Sequence, residues 1–385
     1  MQGTHETTER AHAMHPRLER LLALLVEWEG SDLHLQAGSG PRIRVNGRLR
    51  KVPGELPLSP AETEEITRTI ISREATERFD SGREVDFSAQ HAELGRFRVH
   101  AYRQTGSVAI TCRHVVTRIP SFSDLCLPDA VRRLSDEPRG LVLVTGPTGC
   151  GKTTTLAAMI DHINRTRECH VVTIEDPIEV MHKPELAEVS QREIGLDTHD
   201  YVTAMRSAMR QDPDVILVGE MRDTDTVSAA LHAAETGHLV LSTLHTTDAA
   251  ETVSRIIDFF PPHQHHQIRV SLASTLRGVI GQRLIPKAFG DGRVPAVEVM
   301  ISNGRVQQCI LDPDRHHDLV EIIAAGEFYG MTTFDQSLAR LCTERLVDLP
   351  TAMMHASSPH DLQLLLARNG VIDPGAARPG FEAVS

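Results

Sequence analysis

A short glycine-rich stretch constrains this chain more than any other feature of its sequence. Residues 146–153 read GPTGCGKT, which fits the pattern G-x-x-x-x-G-K-S/T at every fixed position. The apolar run from Leu141 to Thr145 precedes the stretch, as a buried strand of a parallel sheet would. Behind it, apolar residues recur at the spacing of one buried helix face: Leu156, Met159, Ile160 and Ile163. The pattern predicts a strand, a loop and a helix, in that order.

Such a loop binds the phosphates of a nucleotide. Its glycines let backbone N–H groups approach phosphate oxygens closely, and the following helix N-terminus adds unpaired donors and partial positive charge. The lysine ammonium would contact the β- and γ-phosphates of ATP, and the Thr153 hydroxyl would ligate Mg²⁺. The expected nucleotide-binding residues are Gly146, Pro147, Thr148, Gly149, Cys150, Gly151, Lys152, Thr153 and Thr154.

Composition narrows the classes of protein that use this loop. The 385 residues predict two or three domains. A formal net charge of -12 argues against a general nucleic-acid-binding surface, so no direct nucleic-acid partner is expected. The 6 cysteines form no C-x-x-C pair, which fits a reducing cytoplasm. The longest apolar run, Leu21 to Val26, is far too short to span a bilayer, so any membrane contact is expected to be peripheral.

The chain before the loop predicts a small α+β domain over residues 16–116. An apolar helical period begins at Leu18, and residues 60–80 also show helical patterns. Strand-like segments lie at 31–35, 84–88, 95–102 and 107–114, and Asn46-Gly47 predicts a tight hairpin turn. Residues 1–15 are expected to be disordered and 117–125 to form a linker.

Four arginines cluster in the last two predicted strands of this domain: Arg96, Arg98, Arg103 and Arg113. One interpretation is an ordinary solvated strand face. The other is that some of these side chains reach a nucleotide bound elsewhere. The residues by themselves leave both open.

Residues 126–368 predict a larger α/β domain. Helix-like stretches alternate with apolar runs at 141–145, 171–174, 215–218 and 239–242. This alternation is typical of a mostly parallel sheet covered by helices on both faces. The remaining residues, 369–385, are rich in Gly, Pro and Ala and are expected to be mobile.

Polar residues follow three of these runs, where ligands of parallel sheets bind. Glu179 follows the second run, Glu220 the third and His245 the fourth. Glu220 occupies the position of a Walker B acid that holds the metal and its water shell, and Glu179 is the preferred base for the attacking water. The alternatives are a helix-start carboxylate for Glu179 and a space-filling histidine for His245.

Together these motifs resemble the secretion-type hexameric ATPases, most closely the PilT and PilU family of type IV pilus retraction motors. The resemblance extends from about residue 31 to 368. It is carried by the following segments: Ser31 to Leu35, Gly95 to Val99, the loop, Ile174 to Glu179, Asp212 to Asp223, Thr236 to Thr246, Arg255 to Asp258 and Gly330 to Gln336.

The resemblance implies a PAS-like small domain, a RecA-like large domain and a homo-hexameric ring. It implies that Glu179 is the catalytic glutamate, Glu220 the Walker B glutamate and His245 the histidine-box residue. It also implies that Arg98 and Arg113 reach the γ-phosphate. The implied activity is Mg²⁺-dependent ATP hydrolysis that powers pilus retraction and twitching motility. The implied partners are an inner-membrane platform protein and a paralogous pilus ATPase, with the ring in the cytoplasm at the inner membrane.

Two departures from family patterns refine this expectation. The paired-cysteine zinc element of the extension and type II secretion branch is missing, which favours retraction. The basic helix of the principal retraction motors is reduced to one arginine in Gly304 to Leu311, which favours a PilU-like motor. The alternatives are an ATPase for extension, type II secretion or DNA uptake, and a nucleotide-binding accessory subunit of another pilus motor.

Overall fold

The computed structural model describes residues 14–45, 47–71, 73–82, 84–115, 119–290 and 292–372. Residues 1–13 and 373–385, most of the segments expected to be disordered or mobile, lie outside this range, as does Asn46 of the predicted hairpin turn. The chain divides into two compact units. The small unit comprises residues 1–117 with 179–181, and the large unit comprises residues 118–178 with 182–385.

The helices within the described residues are α1 (Pro16–Glu27), α2 (Pro60–Ile70), α3 (Arg73–Asp80), α4 (Asp129–Ser135), α5 (Lys152–Thr166), α6 (Tyr201–Ala208), α7 (Thr224–Glu235), α8 (Ala249–Asp258), α9 (His265–Thr275), α10 (Gly304–Leu311), α11 (Asp318–Ala324), α12 (Phe334–Thr343), α13 (Leu349–His355) and α14 (Pro359–Arg368).

The strands are β1 (Asp32–Gln36), β2 (Arg42–Val45), β3 (Arg48–Lys51), β4 (Val85–His91), β5 (Gly95–Gln104), β6 (Ser107–His114), β7 (Gly140–Thr145), β8 (His170–Glu175), β9 (Glu188–Glu193), β10 (Val215–Val218), β11 (Leu239–Leu244), β12 (Leu276–Pro286) and β13 (Arg293–Ile301).

The small unit is a 6-stranded antiparallel sheet with the order β3-β2-β1-β6-β5-β4. Alternation along β5 buries Phe97, Val99 and Ala101 and leaves Arg96, Arg98 and His100 on the opposite face. The buried face of the sheet packs with four leucines of α1, which recur at helical spacing and are at most 1% exposed: Leu18, Leu21, Leu22 and Leu25. Every strand and helix expected for this part of the chain is present.

The large unit contains a 7-stranded sheet with the order β13-β12-β7-β11-β10-β8-β9. All neighbouring strands are parallel except the pair β12 and β13. The expected α/β class with a mostly parallel sheet is confirmed. β7 is buried at every position, as its continuous apolar sequence predicts for a strand covered on both faces.

Three strands of this sheet were not anticipated from the sequence. β9 extends the sheet beyond β8, although its sequence EVSQRE is polar and offers no buried run. β12 and β13 pair antiparallel at the other end, and β12 also pairs parallel with β7. The apolar, β-branched residues of 294–301 were the available signal for β13. Within the described residues, no helix combines the length and apolarity that crossing a membrane would require.

Candidate nucleotide-binding and catalytic site

The glycine-rich loop connects β7 to α5 through backbone conformations that favour glycine. Gly146, Gly149 and Gly151 have φ values of 140°, 77° and 95°. L-amino acids with side chains rarely adopt such values, so the glycines at these positions are a conformational requirement. Gly151 is also the N-cap of α5, where the first backbone N–H groups of the helix have no helical acceptor. The loop therefore presents unpaired donors to an anion.

Lys152 begins α5 and folds its side chain back over the loop. Its Nζ donates to the carbonyl oxygens of Gly146 at 2.7 Å and Pro147 at 3.2 Å. Burial lowers the pKa of this ammonium, and the charges of Cys150 and Glu220 oppose that shift. The ammonium is thus held at the loop by neutral carbonyls, which a phosphate can replace.

A chain of polar contacts links Lys152 to the ends of two other strands. Lys152 Nζ lies 3.4 Å from His245 Nδ1, and His245 Nε2 lies 3.1 Å from Glu220 Oε1. Since the ammonium can only donate, His245 Nδ1 accepts and the ring proton belongs on Nε2, which donates to Glu220. We call Lys152, His245 and Glu220 the strand-end cluster.

The strand order explains why these three residues meet. Lys152 follows β7, His245 follows β11 and Glu220 follows β10, and these strands are adjacent in the order β7-β11-β10. Because the strands are parallel, their carboxyl ends lie at the same edge of the sheet. The histidine therefore lies between the lysine and the glutamate.

Side-chain hydrogen bonds fix the strand ends that carry the cluster. The Thr243 hydroxyl donates to the Gly219 carbonyl at 2.7 Å, and the Met221 N–H donates to the Thr243 carbonyl at 3.2 Å. On the other side, the Gly219 N–H donates to the Ile174 carbonyl at 2.8 Å. The segment bearing Glu220 is thus bound to both neighbouring strands.

Arg222 is a member of this site to which sequence reasoning assigned no role. One of its guanidinium nitrogens lies 2.7 Å from Glu220 Oε2. Burial raises the pKa of Glu220, but the hydrogen bonds from Arg222 and His245 and the charge of Arg222 outweigh burial and leave that pKa below its ordinary value. Glu220 is therefore an anion, as a metal ligand or a water-binding carboxylate must be. The available signal was the spacing of Arg222 two residues after the glutamate.

The residues at this edge fit Mg²⁺ bound together with phosphates. Thr153, the expected hydroxyl ligand, is half-buried in the first turn of α5, and the Glu220 side chain is 17% exposed. The described part of the chain holds no cluster of three or more His, Cys, Asp or Glu side chains placed to bind a metal. Mg²⁺ does not need one, because it keeps several waters and takes phosphate oxygens with one or two protein ligands.

Glu179 is not part of the strand-end cluster. Its residue is exposed, and it begins the segment 179–181 that groups with the small unit. The carboxylate nearest to the end of β8 is Glu175, whose Oε1 accepts from the Thr173 hydroxyl at 2.7 Å and from the Gln191 amide at 3.1 Å. Both of these bonds hold Glu175 in place within the sheet.

The two arginines implied by the resemblance stand side by side in the small unit. Cross-strand pairing aligns Arg44, Asp32, Arg113, Arg98 and Ser88 across β2, β1, β6, β5 and β4. We call these five residues the arginine row. Arg113 Nε donates to Asp32 Oδ1 at 2.8 Å, whereas Arg98 lies 3.8 Å from Asp86. The Arg113 and Arg98 side chains remain 63% and 39% exposed.

The other two arginines of the predicted cluster behave differently. Arg96 lies on the same face of β5 as Arg98 and donates to the Ser88 hydroxyl at 3.0 Å. Arg103 is an odd-numbered residue of β5 and belongs to the opposite face, where its guanidinium lies 5.1 Å from the centre of the Phe79 ring. The strand alternation therefore separates Arg103 from the other three.

A cavity in the large unit borders the loop and the first turn of α5. Gly151, Thr154 and Thr155 form its loop side. Its remaining walls are largely apolar with two basic residues: Leu125, Cys126, Leu284, Val294, Pro295, Lys287 and Arg293, together with Asp124 and Gln282. A flat apolar group attached to phosphates bound at the loop has space here.

Comparisons with known proteins agree with these features. The family described as type II/IV secretion system protein matches residues 125–323. The chain is 42% identical over 344 residues to the Pseudomonas aeruginosa type IV pilus retraction ATPase PilT, which covers 89% of this chain and 99% of that protein. It is 39% identical over 348 residues to the type IV pilus ATPase PilU of the same organism, which covers 90% of this chain and 91% of PilU.

A solved structure has a similar fold. The crystal structure of the pilus retraction motor PilT with bound ADP superimposes with a TM-score of 0.82 at 41% sequence identity. The superposition covers 90% of this chain and 98% of that one.

Proposed function

The chain belongs to the type II/IV secretion system protein family and, within it, to the PilT/PilU type IV pilus ATPases, and from this premise we propose that it is an ATP-hydrolysing motor for type IV pilus retraction. The observation that carries the proposal is the strand-end cluster beside the glycine-rich loop. Family membership supports ATP hydrolysis and pilus retraction, and the cluster supplies the residues that this chemistry needs.

The chain's own residues divide the work of hydrolysis. The loop N–H groups and Lys152 bind the phosphates, and the Thr153 hydroxyl and Glu220 hold Mg²⁺ and its waters. When bound, Mg²⁺ would offset the negative charge of the phosphates. His245 accepts a hydrogen bond from Lys152 and donates one to Glu220. It therefore loses its contact with Lys152 when the ammonium moves onto a phosphate. Glu179 orients or deprotonates the attacking water, while Glu220 serves the metal and its waters.

The cavity beside α5 receives the base of the nucleotide. Its walls combine apolar side chains such as Leu125, Leu284 and Val294 with a small number of polar groups, as nucleotide and small-molecule sites commonly do. Gly151 and Thr154 line both the phosphate loop and this cavity. A nucleotide can therefore extend from the loop into the cavity within the large unit.

The arginine row completes the catalytic set. Arg98 and Arg113 contact the γ-phosphate during hydrolysis and stabilise the charge of the transition state. A homo-hexameric ring converts the free energy of hydrolysis into work on an inner-membrane platform protein. A paralogous pilus ATPase shares this task. α10 retains only one arginine, Arg305, which supports a PilU-like role for this chain in retraction.

Two measurements test the proposal. Purified protein should hydrolyse ATP, and Lys152→Ala should abolish binding of ADP and turnover of ATP. The matched control is Lys183→Ala, whose side chain is exposed in the same unit and lies outside the loop. Equal turnover by Lys152→Ala and the wild type would overturn the assignment of the loop.

The cellular role is tested by deleting the gene and counting surface pili. A retraction motor predicts excess pili and loss of surface motility, restored by the wild type and not by Lys152→Ala. Absence of pili would assign the protein to extension. Unchanged pili and motility would remove pilus retraction from the proposal and leave the ATPase activity standing.

A further inference from the structure

We propose that Gln282 is a positioning residue that holds the phosphate-binding loop in its nucleotide-binding conformation. The inference rests on the proposed function of that loop. Gln282 lies in β12, a strand that sequence reasoning did not anticipate, and it is 3% exposed. Its side chain also lines the cavity beside α5.

The pairing of β12 with β7 brings Gln282 to the loop. β12 runs parallel to β7, and Gly281 pairs with Thr145, the last residue before the loop. The next residue of β12 therefore lies alongside the first residue of the loop. A Cβ added at Gly146 would collide with the carbonyl oxygen of Gln282.

The Gln282 side chain makes two hydrogen bonds of opposite sense to the loop and its helix. Its Nε2 donates to the Cys150 carbonyl at 2.6 Å. Its Oε1 accepts from the Thr155 hydroxyl at 2.8 Å, and both bonds are buried. A side-chain amide can donate and accept at once, whereas an ionised carboxylate only accepts and a methionine sulfur is at most a weak acceptor.

The bonded amide also accounts for one of the loop glycines. A Cβ at Gly151 would lie 2.7 Å from Gln282 Nε2, so the amide occupies the space that a side chain there would need. Gly149 is different, since nothing lies within 4 Å of a Cβ at that position and only its φ of +77° favours glycine. The amide thus occupies the space beside Gly151, whereas the space beside Gly149 is open.

Substitution of Gln282 should therefore affect the affinity for nucleotide and not the rate of the chemical step. Gln282 touches the loop from the side of the sheet and has no contact with Lys152, His245 or Glu220 among the described hydrogen bonds. Removing its amide should loosen the Cys150 carbonyl and the first turn of α5 and weaken nucleotide binding. The rate of the chemical step, once nucleotide is bound, should remain close to that of the wild type.

The test compares three variants with the full-length wild type, with ADP as the probe. Gln282→Met keeps the volume and removes both bonds, Gln282→Glu keeps the acceptor only, and Thr155→Val removes the donor to Oε1. We expect ADP affinity to fall roughly tenfold in Gln282→Met and in Gln282→Glu, and by a few-fold in Thr155→Val. KM for ATP should rise in parallel while kcat stays within about threefold of the wild type.

Ser337→Ala is the matched control for a merely structural role. The Ser337 hydroxyl accepts a buried hydrogen bond at 3.1 Å from the N–H of Val297, the β13 residue that pairs with Gln282, so this variant disturbs the surroundings of Gln282 without removing its two amide bonds. It should lower the melting temperature and leave ADP affinity unchanged. The double variant Gln282→Met/Thr155→Val should bind ADP no more weakly than Gln282→Met, because the Thr155 bond is already lost in the single variant.

The proposal is overturned if Gln282→Met binds ADP like the wild type. It is also overturned if Gln282→Met lowers kcat as strongly as it lowers the affinity for ADP. If Gln282→Met lacks a cooperative thermal transition, Thr155→Val decides alone, with unchanged ADP affinity overturning the proposal. Failure of the proposed function looks different: the wild type and Lys152→Ala would then bind ADP equally. Normal ADP binding by both the wild type and Gln282→Met, with loss in Lys152→Ala, rejects only the inference about Gln282.

Discussion

The strand-end cluster and the arginine row carry the candidate catalytic charges in two contrasting ways. In the large unit, Lys152, His245 and Glu220 come from loops after parallel strands and bind one another. In the small unit, Arg98 and Arg113 come from the middle of antiparallel strands and remain 39% and 63% exposed. The charged side chains of the strand-end cluster already contact one another, whereas the arginine row carries more positive than negative charge.

This difference indicates which step each region serves. Groups that already neutralise one another suit binding and orientation, since their partners are exchanged for phosphate and metal. Exposed arginines held at one end by an aspartate suit a charge that appears only during the reaction. Substitutions in the two regions should therefore separate binding of ADP from turnover of ATP.

The largest effect on turnover without loss of binding is expected in the arginine row. Arg98→Ala and Arg113→Ala should each lower kcat by about 10³-fold or more, because a transition-state arginine contributes about 10³–10⁵. Affinity for ADP should stay within a few-fold, since ADP lacks the γ-phosphate. The measurements are steady-state ATPase rates and ADP titration.

Arg50→Ala in the exposed strand β3 is the control for charge removal from the same sheet. It should behave as the wild type in both measurements. Wild-type turnover by Arg98→Ala and Arg113→Ala would assign the row to a solvated surface, and equal loss of ADP affinity would assign it to binding.

Glu220→Gln should lower turnover by about 10²–10⁴-fold while ADP binding is retained. The amide keeps the shape of the side chain but loses the charge that holds the metal and its waters. Glu188→Gln, an exposed residue of the edge strand β9, is the control. Retained turnover in Glu220→Gln would contradict the role of the cluster in chemistry and leave it only a binding role.

Asp32→Asn should have a smaller effect, about tenfold on kcat, by loosening Arg113. Burial raises the pKa of Asp32, but hydrogen bonds from Ser31 and Arg113 and the Arg113 charge outweigh burial and lower that pKa. The charged form is therefore the one that binds Arg113. Asp86→Asn, 3.8 Å from Arg98 and largely exposed, should change kcat little. A tenfold fall in kcat in Asp86→Asn as well would show that the net charge of this sheet face determines kcat, and not the hydrogen bond between Asp32 and Arg113.

Glu298 is a buried carboxylate of the large unit that contrasts with Asp32 of the small unit. Its substitution should have the smallest effect on activity. Its Oε1 accepts from the Ala249 N–H at 2.8 Å, at the start of the helix that follows His245. Burial raises its pKa from 4.5 to about 7, the Ala249 bond and Arg283 oppose the shift, and Asp248 and Asp335 add to it. Burial thus dominates at Glu298, whereas charged and hydroxyl partners dominate at Asp32.

The sign of the pH effect follows from the raised pKa. Between pH 4.5 and about 7 the folded protein keeps a proton that the unfolded chain releases, so the free energy of unfolding falls as pH rises. Glu298→Gln keeps the acceptor for Ala249 and removes this dependence, so it should stabilise the protein at pH 8 by up to about 3 kcal/mol relative to its effect at pH 4. Thermal denaturation across that range measures it, with exposed Glu168→Gln as control. A wild-type pH dependence in Glu298→Gln would place the titration elsewhere.

Local patterns predicted much of the fold and part of the site. The continuous apolar runs of β7, β10 and β11, and the helical period of α1, each satisfy a local rule, so their elements were predictable. β9 was not, because its residues are polar and its stability comes from pairing with β8. Gln282 was missed for a related reason, because its partners Cys150 and Thr155 are distant in sequence. Arg222 was missed although it lies only two residues after its partner Glu220.

The sequence by itself determined the loop, its flanking strand and helix, and the set of polar residues after the parallel strands, because these depend on local spacing and residue type. Only the tertiary structure decided which of them meet. β11 lies between β7 and β10 and so places His245 between Lys152 and Glu220, whereas Glu179 belongs to the segment that groups with the small unit. Strand order and cross-strand register depend on long-range pairing, and no local pattern encodes which strand lies beside which.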